Sequence, residues 1–253
     1  ILQALGVALP IPLLPGDTNN PEGYFERSDI TALQEELLID LQRWWPSEAG
    51  LQPLPEGWLG TPRAQRAAIC LRRLLKVDMA EQQGAWAIKD PRTSLLLPLW
   101  RQVADELKLP LRLLLATRDP GEVVVSLVGR DGSPAGMTQE RAEALWLRHH
   151  HQLLVDGIGL PLQVVSYSAW FSNADTQLEA LAGFCRSIDV DRASLECARS
   201  CIRPEHRRSN RDFGKLRLSS QTRRLQRKLE QAVAQSQDQS LRHWALQEPL
   251  PSP

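Results

Sequence analysis

The chain lacks most of the features that mark a specialised class of protein. Its 253 residues include only four cysteines, too few for a disulfide-stapled scaffold, so we expect a cytoplasmic protein in a reducing environment. No apolar run approaches the roughly 18 residues that cross a bilayer, which predicts no transmembrane segment. The 30 basic and 30 acidic residues cancel, which excludes a chain built to coat nucleic acid but allows a local site for one small anion.

A glycine-rich phosphate-binding loop is also missing from the sequence. No G-x-x-x-x-G-K-[ST] pattern occurs, and Gly214-Lys215 is followed by leucine. The apolar opening has no initiator methionine, and it lacks the basic start and the cleavage site of a signal peptide. We interpret this opening as the last turns of a buried helix that stops at Gly6 or Pro10.

What is present predicts one α/β domain with a helical appendage. Continuous apolar runs predict buried strands at 85–88, 111–117 and 163–167. Helical spacing of apolar residues predicts helices around them, at about 28–46, from 61, at 95–107, from 120, and at 138–155, 175–202 and 220–246. This alternation is typical of a parallel sheet that helices cover on both faces. We place the α/β domain at 1–215 and a helical extension with a loose tail at 216–253.

Two of the predicted strands run directly into charged turns. The first leads to Lys89 and Arg92, and the second leads to Arg118, with Asp119 in position to cap the next helix. Ligands of parallel sheets bind at the carboxyl ends of strands, so three cations there indicate a polyanion. The planar fork of Arg118 suits a phosphate, and Ser126 offers a small hydroxyl donor. An equally open interpretation is that Asp-Pro turns are common loop elements and these charges are a solvated rim.

Four segments of the chain, in order, resemble motifs of the bacterial sulfotransferase family: AIKDPRTSLLLPLW, RLLLATRDPGEVVVSLVGRDG, ALWLRHHHQLL and VVSYSAWF. NNPEGYFERSDITALQEELL also resembles the segment after that family's first helix. The resemblance extends from about residue 1 to about residue 209 and leaves out the C-terminal helix. It implies a parallel sheet flanked by helices in a P-loop NTPase-like sulfotransferase fold. It also implies 3′-phosphoadenosine 5′-phosphosulfate (PAPS) as the donor and no metal.

The resemblance implies roles for residues of the donor site. In this family an arginine and a serine eight residues apart hold the 3′-phosphate of the donor, which corresponds to Arg118 and Ser126. The tyrosine that ends the third strand, here Tyr167, lies near the nucleotide in related enzymes. A basic loop closes over the 3′-phosphate in relatives, which corresponds to the basic segment from Arg203 to Arg208 and suggests Arg207 and Arg208. The family's phosphate loop would lie before residue 1, and the missing methionine favours a fragment over a chain that has lost this loop.

The resemblance also implies where the transfer would occur. The lysine after the second motif strand lies near the transferred sulfuryl group, which indicates Lys89, with Arg92 beside it. The proton of the acceptor hydroxyl needs a base, and relatives often use a glutamate after the first helix. Glu26 is the first candidate, and Glu22 and Asp90 come next. Glu26 has a structural alternative, because an acidic residue before a helix also stabilises the helix dipole.

Other conspicuous residues have a structural explanation that competes with a functional one. The run His149-His150-His151 predicts a solvated helix face and no metal site, because consecutive helical residues point in different directions. Trp86, Trp100 and Trp146 fall on apolar faces and are predicted core residues. A further three tryptophans lie in or beside irregular segments on the expected acceptor side, where they either stack on a sugar or pack under a loop: Trp44, Trp45 and Trp58.

The sequence leads us to expect a sulfotransferase that acts on a hydroxyl of a carbohydrate or glycoconjugate. A noncatalytic binding or assembly module derived from the same fold is the alternative, because the phosphate loop is absent from the sequence. A nucleoside or sugar kinase is a weaker alternative, since it would require a Mg²⁺ site and a complete phosphate loop.

Overall fold

Two of the apolar runs form strands that pair side by side in the computed structural model, which describes residues 1–18, 20–185, 191–206, 216–234, 239–248 and 250. Strand β1 (Leu113–Thr117) lies parallel to β2 (Leu162–Ser166), in a register that sets Leu113 opposite Leu162 and Thr117 opposite Ser166. Both strands and their parallel pairing are as predicted, so the chain is α/β, mostly helical, with a small parallel sheet.

Helices account for most of the described residues. Short 3₁₀ turns precede or connect several of them. In chain order, the α-helices of the described ranges are α1 (Ser28–Asp40), α2 (Pro62–Glu81), α3 (Thr93–Leu107), α4 (Pro120–Ala135), α5 (Gln139–Asp156), α6 (Ala169–Ser172), α7 (Ala174–Phe184), α8 (Arg192–Ser200), α9 (Ser220–Ala234) and α10 (Gln239–Gln247). Within the described ranges no helix has both the length and the apolar character needed to cross a membrane.

Two predicted helix starts, at Thr61 and at Pro120, are confirmed by side-chain caps. The hydroxyl of Thr61 accepts a hydrogen bond from the backbone N–H of Ala64 at 3.2 Å, with Pro62 as the first residue of α2. The carboxylate of Asp119 likewise accepts from the backbone N–H of Gly121 at 2.8 Å at the start of α4. The end of α1 differs from the prediction, because Gln42 adopts a left-handed backbone (φ 56°) and the helix stops at Asp40.

The predicted strand at 85–88 is wrong, since it reduces to one parallel bridge between Ala8 and Trp86. The N–H of Ala8 donates to Ala85 at 3.0 Å, and the carbonyl of Ala8 accepts from Ala87 at 2.8 Å. Pro10, two residues on, has no N–H to continue the ladder, so the pairing ends there.

The sequence also predicts that helices cover both faces of the sheet. This holds for β2 but not for β1, where alternate residues are exposed to solvent.

The main core lies between helices from both ends of the chain. Leucines of α1, α2, α3 and α5 pack together, and α9 and α10 add Leu225, Leu229 and Leu241, which are almost completely buried. The helix predicted at 220–246 is present as α9 and α10, and 235–238 lie outside the described residues. The helix predicted at 175–202 is likewise α7 and α8, and 186–190 lie outside the described residues.

A buried ion pair joins the segment before α1 to α2. The guanidinium of Arg27 contacts the carboxylate of Asp78, and both side chains are almost fully buried. Arg27 also donates to Asp29 at 2.8 Å. Burial acts to lower the pKa of Arg27, but the hydrogen bonds to these two carboxylates outweigh it and the pKa is raised. The loop that carries Glu26 is thereby fixed to the helical core.

Candidate functional site

The carboxyl ends of β1 and β2 bring Arg118 and Tyr167 together. The backbone N–H of Tyr167 donates to the carbonyl of Thr117 at 2.8 Å, which extends the pairing one step past the strands. The guanidinium carbon of Arg118 lies 4.6 Å from the centroid of the Tyr167 ring, within the range of a cation–π contact. Two of the residues expected at the donor site are therefore in contact.

Glu122, in the first turn of α4, pairs with Arg118, which precedes the helix. Arg118 Nε donates to Glu122 Oε2 at 2.6 Å, and the Glu122 side chain is only 10% exposed. Ser126 is exposed and follows Glu122 by one helical turn, so these two residues share a face of α4. A phosphate held by both Arg118 and Ser126 would meet the carboxylate of Glu122. The sequence analysis overlooked this residue, although its i,i+4 spacing from Arg118 is the usual signal for a helical ion pair.

Glu26 and Lys89 form a second charged group. Lys89 Nζ lies 2.5 Å from Glu26 Oε1 and also donates to the carbonyl of Tyr24 at 3.1 Å. The two ends of the pair differ in exposure, since the side chain of Lys89 is 52% exposed and that of Glu26 is 8% exposed. A carboxylate and an ammonium are thus held together at the protein surface, with the carboxylate on the inner side.

Arg92 connects this pair to two further carboxylates. Its guanidinium lies 3.4 Å from Glu26, 2.8 Å from Glu35 and 3.0 Å from Asp90. Asp90 Oδ1 accepts from the backbone N–H of Arg92, and Oδ2 accepts from Thr31, so both oxygens of this buried carboxylate are engaged within the fold. Burial acts to lower the pKa of Arg92, but the neighbouring carboxylates, with Asp90 first, outweigh it and raise the pKa.

Helix α5 lies against both charged groups. Trp146 Nε1 donates to the carbonyl of Arg118 at 3.3 Å, and one turn later His149 Nδ1 lies 2.7 Å from Ser94 Oγ and 3.2 Å from the carbonyl of Pro91. Among the described residues, however, Lys89 and Arg118 share no hydrogen bond with each other or with a common partner. The structure therefore brings the expected site residues together as two clusters, one around Arg118 and one around Lys89.

The histidine run is packed into the fold, so the predicted solvated face is wrong. His151 is 8% exposed, and its Nε2 lies 2.9 Å from the carbonyls of Ala245 and Glu248 near the end of α10. Burial lowers the pKa of His149 to about 4, as it does that of His150. Both imidazoles are consequently neutral at pH 7, and neither contributes positive charge to the nearby clusters.

A pocket of about 160 Å³ opens beside Tyr167 and is lined in part by Trp170 and Phe171. Glu22 and Arg203 close one side of it, with Arg203 Nη1 2.7 Å from Glu22 Oε1. Arg203 begins the basic segment expected to close over the donor, but Arg207 and Arg208 lie outside the described residues. Glu22, a candidate base by sequence, belongs to this pocket and not to the cluster around Lys89.

The C-terminal helices reach the site as well, which the sequence did not indicate. Gln226 of α9 donates from Nε2 to Asp119 Oδ2 at 2.8 Å, while the other oxygen of Asp119 caps α4.

In the part of the chain that the structure describes, no group of three or more histidine, cysteine, aspartate or glutamate side chains could hold a metal ion.

Comparisons with known proteins found no relative of this chain: no protein-family model matches it, and neither does any curated protein or any solved structure.

Proposed function

We propose that this chain is a sulfotransferase that moves a sulfuryl group from PAPS to a hydroxyl of a carbohydrate or glycoconjugate. The observation that carries the proposal is the contact of Arg118 with Tyr167 at the carboxyl ends of two adjacent parallel strands. Ligands of parallel sheets bind at such ends, and a guanidinium there suits a phosphate. The four ordered motifs quoted above and the pairing of Glu26 with Lys89 also support it.

The chemistry of the transfer needs the groups that the second cluster contains. The acceptor oxygen attacks sulfur, a new S–O bond forms, and the bond from sulfur to the 5′-phosphate oxygen breaks in line with it. Glu26 takes the proton of the acceptor hydroxyl, and adenosine 3′,5′-bisphosphate leaves with the electron pair. Lys89, half-exposed, stabilises the negative charge that develops on the leaving oxygen.

Glu26 suits the base role better than Asp90 does. Both oxygens of Asp90 already accept hydrogen bonds from the fold, and its side chain is fully buried. Glu26 is held by Lys89 at one oxygen and by Arg92, at a longer 3.4 Å, at the other. The more weakly held oxygen is the one that we assign to the acceptor proton.

The test of the donor site is binding of adenosine 3′,5′-bisphosphate, measured by isothermal titration calorimetry. We expect saturable binding to the wild-type chain and an affinity at least about tenfold lower for Arg118→Ala. The matched control is Arg112→Ala, because Arg112 also contacts an aromatic ring, Phe184, at 5.7 Å but lies before β1, away from the strand ends. Absence of binding to the wild type, or equal affinities for the three proteins, would overturn the proposal.

A noncatalytic binding module derived from the same fold is the second candidate. The specific observation that favours it is that each expected cation already has an acidic partner, Lys89 with Glu26 and Arg118 with Glu122. Incubation with PAPS and a carbohydrate acceptor separates the two candidates. Release of the bisphosphate together with a sulfated product, detected by mass spectrometry, supports the enzyme, whereas bisphosphate binding without turnover supports the module.

A further inference from the structure

Trp44 and Trp45 are neighbours in sequence but occupy opposite environments. The ring of Trp45 packs against the apolar cluster of α4 and α5, and the guanidinium of Arg130 lies 5.8 Å from its centroid. Trp44 is 42% exposed. Trp58, the third tryptophan of this region, is buried in the main core. The two sequence-based interpretations therefore apply to different residues, since Trp45 and Trp58 are packed and only Trp44 presents its ring to solvent.

The backbone that carries Trp44 is tightly held. The carbonyl of Trp44 accepts from both the backbone N–H and the hydroxyl of Ser47, at 3.0 and 2.7 Å. A Cβ at Gly50 would lie 2.4 Å from that same carbonyl oxygen, so only glycine fits there. Arg148, which is 6% exposed, donates to the carbonyl of Leu51 at 2.7 Å and ties the loop to α5. The exposure of Trp44 is thus a property of a well-fixed turn.

The ring of Trp44 is fixed in direction as well. Its Nε1 donates to Glu35 Oε1 at 3.0 Å, and the other oxygen of Glu35 accepts from Arg92 at 2.8 Å. Arg92 in turn contacts Glu26, so hydrogen bonds connect the indole to the carboxylate assigned as the base. Because the indole N–H is engaged, the part of Trp44 that remains for a partner is its apolar ring.

A rigid aromatic ring beside a fixed, partly exposed carboxylate is complementary to a sugar. The C–H groups of a pyranose pack on an aromatic ring, and its hydroxyls donate to carboxylate oxygens, which only accept. The Glu35 side chain is 32% exposed and can receive such a hydroxyl. The network from Trp44 to Lys89 contains three carboxylates and two cations, so its net negative charge disfavours an anionic ring.

We propose that Trp44 and Glu35 form a binding subsite for a neutral pyranose ring of the acceptor. The sugar ring stacks on Trp44, and one of its hydroxyls donates a hydrogen bond to Glu35. This inference rests on the proposed function for its place in the reaction, because the subsite would lead the acceptor toward Glu26. The binding of the sugar itself does not depend on the donor.

The experiment titrates the full chain, without donor, with cellotetraose and with chitotetraose, and follows saturation-transfer difference NMR of the sugar protons. We expect saturable binding of at least one of these neutral oligosaccharides, and an affinity at least about tenfold lower for Trp44→Ala. Glu35→Gln should also weaken binding, by about threefold or more, because it loses the charge that strengthens the hydrogen bond.

Matched variants control for loss of exposed apolar surface and of charge. Ile39→Ala removes an exposed apolar side chain near the end of α1. Glu36→Gln changes an exposed carboxylate that is next to Glu35 in the sequence. Both should bind the sugars as the wild type does, and circular dichroism of every variant verifies its fold. Failure of both oligosaccharides to bind the wild type, or binding that Trp44→Ala leaves unchanged, would overturn the subsite.

The failure of this inference can be told apart from the failure of the proposed function. Arg118→Ala should keep the affinity for the sugar while it loses affinity for adenosine 3′,5′-bisphosphate. Sugar binding that depends on Trp44, in a chain that binds no bisphosphate, would overturn the sulfotransferase assignment and support the subsite. Bisphosphate binding without any sugar binding would support the sulfotransferase assignment and overturn the subsite.

Discussion

The carboxylate of Glu122 forms an ion pair with the guanidinium of Arg118, with 2.6 Å between Glu122 Oε2 and Arg118 Nε. Any phosphate that binds Arg118 must displace this carboxylate or share the guanidinium with it. The Arg118 side chain is 28% exposed, so the oxygens of a phosphate can still approach the guanidinium. In the proposed donor site, this ion pair therefore competes with an anion for Arg118.

Replacement of the Glu122 carboxylate should strengthen anion binding. We expect Glu122→Gln to raise the affinity for adenosine 3′,5′-bisphosphate by up to about fivefold at low salt, because a partly exposed ion pair contributes no more than this. Calorimetric titration at two salt concentrations measures the effect. Glu140→Gln, an exposed carboxylate in the first turn of α5, is the matched control and should leave the affinity as it is. A lower affinity for Glu122→Gln would contradict the assignment of Arg118.

Glu26→Gln should separate binding from turnover. Loss of the base lowers the rate of transfer by about 10²- to 10⁴-fold. The same change releases Lys89 from its carboxylate partner, so the affinity for the bisphosphate should be equal to that of the wild type or higher. Glu36→Gln is the control for the change of charge. A Glu26→Gln variant that retains full activity would mean that another group accepts the proton.

The buried pair of Arg27 and Asp78 should dominate the stability of the segment before α1. Asp78→Ala leaves the almost fully buried Arg27 with only the partly exposed Asp29, which costs about 3–5 kcal/mol in the free energy of unfolding. Urea denaturation, followed by circular dichroism, measures this loss. Glu106→Ala breaks another arginine–carboxylate pair of α2, with Arg72, but a half-exposed one, and should cost far less. Similar losses for the two variants would contradict the role of burial.

His150 should make the protein less stable as the pH falls from about 6.5 to about 4. Its Nδ1 donates to the carbonyl of Trp146 at 2.8 Å, and its Nε2 is buried without a partner among the described residues, so protonation there has no acceptor. Burial lowers the pKa of His150 to about 4 in the folded chain. The unfolded chain binds the proton near pH 6.5, so stability is full above this pH and is lost between the two values.

His150→Phe tests this dependence, because phenylalanine keeps the ring contact with Trp146, whose centroid lies 4.3 Å away. The slope of the unfolding free energy against pH should become shallower by up to about 1.4 kcal/mol per pH unit between pH 4 and 6.5. Urea titrations at four pH values measure it. His243→Gln, at an exposed position of α10, should retain the slope of the wild type. An unchanged slope for His150→Phe would show that the imidazole is solvated.

Features governed by a few neighbouring residues could be predicted from the sequence. The cap at Asp119 followed by Pro120 starts α4 where expected, and Leu113–Thr117 and Leu162–Ser166 are strands because each is a short apolar run bounded by turn residues. The same local rules placed Arg118 and Tyr167 after parallel strands. Their contact then follows from the pairing of the two strands.

Features that depend on distant partners could not be predicted. The segment at 85–88 has the composition of a strand, but the segment that pairs with it in the described residues, around Ala8, ends at a proline. Trp44 and Trp45 are the same residue type, and only the fold of the loop decides which ring packs against the apolar cluster. The contact of His151 with α10 likewise joins residues more than 80 positions apart in the chain.

The burial of Leu225, Leu229 and Leu241 has a practical consequence for handling this protein. Cutting the chain near residue 215 would remove these leucines from the core and expose the apolar side chains that pack against them. It would also remove Gln226, which donates a hydrogen bond to Asp119, the residue that caps α4. Expression should therefore retain the C-terminal helices, and aggregation of a trimmed version would say nothing about its chemistry.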